Sequence, residues 1–204
     1  MVLSINKAES SLLEMSLRSL MITIGWSLSN KEVIKLTHPK QKIICLTPTR
    51  FVGQGSIILE NNVVFGVVQS ANSFNESRIE VRNKDSVINF GEGCVINNMA
   101  DICSDGATIS VGKRCLIGPN FRAYDSNFHQ LPIELRHIRD DRPKAVFIGD
   151  DVFIGTGVTI LKGVNIGYGS IIGAESVLQT NFTAPPLSII QGNSASIIGA
   201  VGFD

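Results

Sequence analysis

Residues 148–178 read IGDDVFIGTGVTILKGVNIGYGSIIGAESVL, and this stretch repeats itself every six positions. The first column of the repeat is always a large aliphatic residue: Ile148, Ile154, Ile160, Ile166, Ile172 and Leu178. The second column is glycine in four of the first five units, and Leu161 is the exception. The fifth column holds only small or β-branched residues: Val152, Val158, Val164, Ser170 and Ser176. Three columns that agree over successive units indicate a repeat architecture.

A period of six distinguishes this repeat from a helix and from an ordinary strand. In an α-helix the aliphatic column would leave its face within two repeats, and a surface strand alternates with a period of two. Six residues suit a short strand and a tight turn, because glycine lets the backbone bend directly after the inward residue. Each buried Ile or Val would contribute about 1.5–3 kcal/mol. We therefore expect an all-β fold, a parallel β-solenoid that spans residues 46–200.

Pieces of the same pattern occur further upstream. Units are recognisable at residues 90–94, 111–115 and 117–121, and Val52, Gly53 and Ser56 read as an early unit. Cys115 falls in the small fifth column, so we expect it in the core rather than as a nucleophile. The pattern does not fix the register of residues 66–89.

The repeat is interrupted at length only once, by the polar and charged residues 124–146. Long loops in compact domains are usually functional. We expect this loop to project from one corner of the solenoid. It holds His129 and His137, two of the three histidines of the chain.

Residues 1–45 precede the solenoid and are expected to form a helical and extended segment. Within residues 8–28, Leu13, Leu17, Leu20 and Ile24 follow helical spacing. We interpret this segment as a helix that caps the open end of the solenoid, since solenoid ends need covering. The alternative is a helix that binds an acceptor or lies against a membrane.

Composition excludes some classes of function. Lys+Arg and Asp+Glu both number 18, so the formal net charge is zero and there is no basic stripe for nucleic acid and no polybasic segment for a membrane surface. No two of the four cysteines have the CxxC spacing of a zinc or redox site, and reduced thiols are expected. Neither a signal peptide nor a membrane-spanning segment is recognisable. These features predict a cytoplasmic protein.

Three stretches resemble the hexapeptide-repeat acyltransferase superfamily, in particular the galactoside and maltose O-acetyltransferases and the bacterial polysaccharide O-acetyltransferases. They are residues 125–131 (DSNFHQL), residues 148–167 and residues 192–199 (GNSASIIG). The resemblance covers roughly residues 90–200. It implies a left-handed parallel β-helix, against the usual right-handed crossover, and a homotrimer with acetyl-CoA in a groove between neighbouring subunits.

The resemblance also implies residue roles. His129 matches the catalytic base that removes a proton from the acceptor, a role that suits an imidazole near neutral pH. Asn98 matches an asparagine near the base, and the backbone N–H of Thr156 matches the oxyanion donor. The positions that match contacts to acetyl-CoA are Phe153, Gly155, Thr156, Gly173 and Ala174. The candidates for binding the acceptor are Asp105, Asp125 and Asn127.

The sequence departs from the family where relatives have lysines that contact the CoA phosphates. Gln179 and Thr180 replace a Thr-Lys pair, and Ser194 and Ser196 replace a proline and a lysine. Lys162 is the substitute that we consider here. No metal is expected.

The function that this resemblance implies is transfer of an acetyl group from acetyl-CoA to a sugar hydroxyl of a saccharide or polysaccharide precursor. The alternative is N-acetylation of an amino sugar by the same base. A carbonic anhydrase of the same fold would need three histidines from adjacent coils around zinc, whereas the two histidines near the repeats share one loop. A non-catalytic scaffold is the remaining alternative.

Overall fold

The computed structural model describes residues 7–202, with side chains from residue 17 onward. Its helix α1 (Lys7–Ser27) is followed by a 3-10 turn at Lys31–Val33, and a second such turn lies at Ile133–Leu135. The strands are β1 (Ile34–Leu36), β2 (Ile44–Cys45), β3 (Thr49–Gly53), β4 (Ser56–Leu59), β5 (Val64–Phe65), β6 (Ser77–Val81), β7 (Val87–Phe90), β8 (Val95–Ile96), β9 (Asp101–Ser104), β10 (Thr108–Val111), β11 (Leu116–Ile117), β12 (Arg122–Tyr124), β13 (Val146–Ile148), β14 (Phe153–Ile154), β15 (Thr159–Ile160), β16 (Asn165–Ile166), β17 (Ile171–Ile172), β18 (Val177–Leu178), β19 (Thr183–Ala184), β20 (Ser188–Gly192) and β21 (Ala195–Ala200).

The strands form three parallel sheets, which are the three faces of a prism. Sheet A is β1-β4-β7-β10-β13-β16-β19, sheet B is β2-β5-β8-β11-β14-β17-β20-β21, and sheet C is β3-β6-β9-β12-β15-β18. Three successive strands therefore make one coil, and among the strands of residues 7–202 only β21 runs antiparallel to its neighbour. This arrangement confirms the predicted all-β parallel β-helix. The division of the chain at residue 46 stays a prediction, although β1 and β2 already pair with the stack.

The inward columns of the repeat form the core. The six aliphatic residues of the first column and the five residues of the fifth column are all buried. Glycine follows the inward residue because the coils touch there: a Cβ on Gly149 would lie 2.6 Å from the backbone nitrogen of Tyr168. Cys115 is buried in the core as predicted, and all four cysteines are free thiols.

The early coils bury a row of aromatic rings beside aliphatic residues such as Ile57 and Ile79. Phe51, Phe65 and Phe90 contact one another edge to face at centroid distances of 5.1 and 5.4 Å, and Trp26 of α1 packs on Phe51 at 6.3 Å. The prediction that Val52 begins an early unit is wrong by one residue. Phe51 is the buried, inward residue, and Val52 pairs with Glu80 on the outer side of sheet C.

Helix α1 packs on the first coil through a face that the leucine spacing did not predict. Gly25 lies against the backbone of Thr49, Trp26 packs on Phe51, and the Arg18 guanidinium lies 5.4 Å from the ring centre of Phe74. The helix is predicted correctly, but Leu17, Leu20 and Ile24 are about half exposed, and the side chain of Leu13 lies outside the described residues. In the part of the chain that the structure describes, no helix is long and apolar enough to span a bilayer.

Candidate active site

The long loop leaves sheet C after β12 and rejoins sheet A at β13. Hydrogen bonds to the Asp125 side chain fix the start of the loop. The Asp125 carboxylate accepts hydrogen bonds from Ser104 Oγ (2.8 Å) and from the amides of Asp105 (2.6 Å) and Ala107 (2.8 Å). The side chain is fully buried, and burial raises its pKa even though these three donors lower it. Asp125 therefore holds the turn of the preceding coil, and its carboxylate does not face a space for an acceptor.

A buried ion pair fixes the other end of the loop. Lys162 Nζ donates to Asp140 Oδ2 (2.5 Å) and to the carbonyl of Arg142 (3.0 Å). The same carboxylate accepts hydrogen bonds from the amides of Asn127 (3.0 Å) and Arg142 (3.1 Å). Burial alone would raise the pKa of Asp140, but these donors, led by Lys162, outweigh it and hold the pKa at about 2. One ion pair thus ties residues on both sides of the loop to the coil that carries Lys162.

His129 lies between these two anchors. It forms an isolated antiparallel bridge with Arg139, next to hydrogen bonds from Gln130 N to Ile138 O (3.0 Å) and from Asp140 N to Phe128 O (3.2 Å). The ring of Phe128 contacts Tyr124 at 5.5 Å and lies 4.7 Å from the guanidinium carbon of Arg82. The His129 side chain is exposed. A fixed hairpin base therefore presents this imidazole to solvent.

A cavity of about 540 Å³ adjoins the loop at the corner between sheets C and A. Asp105 and Arg139 line it. The Asp105 carboxylate accepts a hydrogen bond from Arg139 Nε at 3.1 Å and forms an ion pair with Nη2 at 2.8 Å. Asp105 is buried, whereas Asn127 and His137 are exposed on the loop. Of the three predicted acceptor residues, Asp105 alone lines this cavity.

The residues predicted to contact CoA lie at a different corner, between sheets B and C. A groove of about 370 Å³ is lined by Leu116, Pro119, Phe153, Gly155 and Thr156, among others. The next coil continues it at Gly173 and Ala174, since a Cβ on Gly155 would lie 2.6 Å from the nitrogen of Ala174.

The backbone amide of Thr156 faces no internal acceptor. Thr156 Oγ1 donates to the carbonyl of Pro119 at 3.1 Å, but within the described residues no hydrogen bond from the Thr156 amide is formed. Pro119 occupies the equivalent turn position one coil earlier, because Gly118 stacks on Gly155. The amide at this position is therefore dispensable for the stack and free to bind a ligand.

An apolar ladder runs along the outer side of sheet B next to this groove. The paired strands place these outward residues in one row: Ile44, Val64, Val95, Leu116, Phe153, Ile171 and Ile189. Leu116 and Phe153 are each about half exposed. The corresponding rows of sheets A and C contain polar and charged residues, such as Asn89 and Ser110 on sheet A and Arg78 and Asp101 on sheet C.

The side chains of two predicted site residues make hydrogen bonds within the fold. The Asn98 amide group is buried, accepts from Val67 N (3.0 Å) and donates to the carbonyls of Val67 (3.0 Å) and Ala71 (2.9 Å), so it fixes the loop after β5. Lys162 is buried against Asp140, which argues against a contact to CoA phosphates. We therefore omit Lys162 from the proposal below. Sequence reasoning did not single out Asp140.

Solved structures share this fold. The polysialic acid O-acetyltransferase OatWY gives a TM-score of 0.59 at 19% identity, over 84% of this chain and 88% of that chain. A hexapeptide-repeat-containing acetyltransferase from Vibrio cholerae O1 biovar eltor, complexed with acetyl-coenzyme A, gives 0.53 at 22% identity, over 93% and 89%. A galactoside acetyltransferase in complex with coenzyme A gives 0.53 at 19% identity, over 92% and 82%.

No protein-family model matches the sequence, and no curated protein matches it significantly. The structural likeness nevertheless confirms, at the level of the fold, the resemblance drawn from the sequence. The chain has the left-handed parallel β-helix of the hexapeptide-repeat acetyltransferases. Within the described residues, no cluster of three or more His, Cys, Asp or Glu side chains could hold a metal ion.

Proposed function

We propose that this protein is an acetyl-CoA-dependent O-acetyltransferase that acts on a sugar hydroxyl, with His129 as its general base. One observation carries the proposal: the longest loop between β3 and β20 is anchored at both ends and presents an exposed imidazole from its fixed base. The acetyltransferases with the same fold, among them enzymes named for polysialic acid and galactoside, support the reaction and the acceptor class.

The groove between sheets B and C fits the pantetheine arm of acetyl-CoA. Leu116 and Phe153 offer apolar surface to its methylene groups. The amide of Thr156 offers a donor that no group of the described residues uses. Gly155, Gly173 and Ala174 keep this wall free of large side chains. When bound, acetyl-CoA supplies an activated thioester as the acetyl donor.

The site needs a second copy of the chain. His129 lies on the loop between sheets C and A, whereas the groove lies at the corner between sheets B and C, which is another edge of the prism. The apolar ladder on sheet B is the natural contact for a neighbouring subunit, because burial of apolar surface drives association. We therefore propose a homotrimer in which the loop of one subunit faces the groove of the next.

In the proposed reaction, His129 removes the proton from the acceptor hydroxyl. The oxygen then attacks the thioester carbonyl carbon, and the Thr156 amide donates a hydrogen bond to the oxyanion that develops. Collapse of the tetrahedral intermediate breaks the carbon–sulfur bond, and the imidazolium returns its proton to the CoA sulfur. Binding both substrates side by side supplies the entropic part of the rate. Asp105 and Asn127 are the candidates for orienting the acceptor.

The test is turnover of acetyl-CoA against a panel of hydroxy sugars, amino sugars and acidic oligosaccharides, with identification of the product. An O-acetyl ester is cleaved by hydroxylamine, whereas an N-acetyl amide is not. We expect a hydroxylamine-sensitive product. A resistant product from an amino sugar would replace O-acetylation by N-acetylation, and no turnover with any acceptor would favour a scaffold without catalysis.

A further inference from the structure

The two faces of helix α1 have different surroundings. Arg18, Ile22, Gly25 and Trp26 recur at helical spacing, and three of them contact the loop after β5 or the first coil. Ile22 and Trp26 also cover an apolar cavity of about 500 Å³ at the end of the solenoid. Another face of the helix carries a second stripe of helical spacing, made of Leu17, Leu20, Ile24 and Leu28.

We call this second stripe the leucine stripe. Its side chains are large and apolar, and yet they are about half exposed to solvent. Its four residues are between 47% and 59% exposed. Leu36 and Leu46 of the first coil are also exposed. Residues 17–46 therefore hold six of the sixteen large hydrophobic residues that are exposed in the described part of the chain. The leucine stripe in particular is an exposed row of large apolar side chains on one helix face, and apolar surface of this kind indicates an interaction site.

Positive charge is concentrated at the same end of the molecule. Residues 17–46 contain five basic residues and one acidic residue, a formal charge of +4, so the rest of this neutral chain carries −4. The four lysines, Lys31, Lys35, Lys40 and Lys42, are exposed. The sequence shows no polybasic run because they are spread over twelve positions, but all four lie in or next to the first coil, at one end of the prism. Two of them flank α1 directly. Lys31 Nζ lies 5.2 Å from the ring centre of Trp26. Lys42 lines the cavity that Ile22 and Trp26 cover.

We propose that the leucine stripe and these four lysines dock the protein on the surface of a bilayer that contains anionic lipids. A helix with an apolar face and flanking cations binds in the plane of the interface by inserting that face among the lipid chains. Each exposed lysine near an anionic surface strengthens binding about fivefold. This charge complementarity favours a bilayer over a second copy, whose same surface would bring four like charges against four.

The proposal does not depend on the acetyltransferase assignment, and its test does not measure catalysis. The experiment is flotation of the full-length protein with vesicles of phosphatidylcholine alone and of phosphatidylcholine mixed with phosphatidylglycerol. We expect binding to the mixed vesicles that weakens as salt rises. Leu20→Ser combined with Ile24→Ser should reduce the bound fraction at least about tenfold, and so should Gln at Lys35, Lys40 and Lys42.

Matched controls make the same kinds of substitution at exposed residues outside the proposed surface. Leu131→Ser combined with Ile133→Ser changes two residues of the long loop that are more exposed than Leu20 and Ile24. Gln at Lys84, Lys113 and Lys144 removes three exposed lysines outside the proposed surface. Both sets should bind vesicles like the unmodified protein. Absence of binding to the mixed vesicles, or equal loss in the controls, would overturn the proposal. So would a change of mass in light scattering caused by the Leu20 and Ile24 changes, since the stripe would then be a contact between copies.

Discussion

At the scale of single residues, the proposed chemistry depends on one backbone amide and one imidazole. Thr156 offers an N–H with no internal acceptor at the wall of an apolar groove, and His129 is exposed on an otherwise anchored loop. Neither group is needed by the fold. Pro119 fills the equivalent turn of the preceding coil without an amide hydrogen, which shows that the stack tolerates its loss.

Thr156→Pro is therefore expected to remove the oxyanion donor without disturbing the coil. Loss of one such donor typically costs on the order of a hundredfold in kcat. Thr156→Ala is the control, because it removes the hydroxyl but keeps the amide. We expect steady-state kinetics to show a large fall in kcat for the proline variant and a small one for alanine. Equal activity of the two variants would mean that another group stabilises the oxyanion.

At the scale of elements, the long loop acts as a rigid arm because Asp125 holds its start and the pair of Asp140 and Lys162 holds its end. The sequence predicts the extent of this loop from the interruption of the repeat. It does not predict the anchors, since Asp140 and Lys162 are 22 positions apart and belong to different coils. Nor does it predict that Asn98 fixes the loop after β5 by hydrogen bonds. An asparagine at a turn gives the same sequence signal whether it holds a loop or lies in an active site.

Lys162→Met is expected to leave the Asp140 carboxylate buried without its cation and to lower the free energy of unfolding by about 3 kcal/mol. Acetyl transfer should fall on the order of tenfold or more at temperatures where the variant stays folded, because His129 loses its fixed position. Urea unfolding and kcat measure the two effects. The control is Lys144→Met. Lys144 is an exposed lysine near the end of the same loop, and its Nζ donates a hydrogen bond to Asn181.

The same ion pair sets a dependence of stability on pH. The pKa of Asp140 is about 2 in the folded protein, below its ordinary value of 3.8, so the unfolded chain takes up the proton first. The carboxylate therefore contributes stability above about pH 4, and this contribution is lost as the pH falls toward 2. In Lys162→Met this part of the profile should flatten. An unchanged acid profile would show that Lys162 does not hold the carboxylate ionised.

At the scale of the whole molecule, the proposed site lies between copies. His129→Ala lacks the base and Thr156→Pro lacks the oxyanion donor, so each should be inactive as a homo-oligomer. In randomly mixed trimers about a quarter of the sites pair an intact loop with an intact groove. Co-expression of the two variants should therefore restore activity to about that fraction. Mixed oligomers that stay inactive would place both groups in the site of a single chain.

The sequence reveals the fold of the later coils more fully than that of the early ones. From residue 148 onward the coils have 18 residues and no insertion, so three columns stay in phase and predict the inward residues as far as Leu178. Before β7 the coils differ in length and phenylalanine takes some of the inward positions, among them Phe51, so the unit predicted at Val52 is displaced by one residue. The direction of the leucine stripe could not be predicted, because helical spacing alone does not say which of two faces meets the solenoid.

The most direct test of the account compares acetyl transfer by the unmodified protein and by His129→Ala, with the best acceptor of the panel. The side chain is exposed, so the variant should keep its stability and its affinity for acetyl-CoA. Loss of a general base predicts a fall in kcat of about a hundredfold to ten-thousandfold. Turnover by His129→Ala that matches the unmodified protein would contradict the central claim that this loop carries the catalytic base.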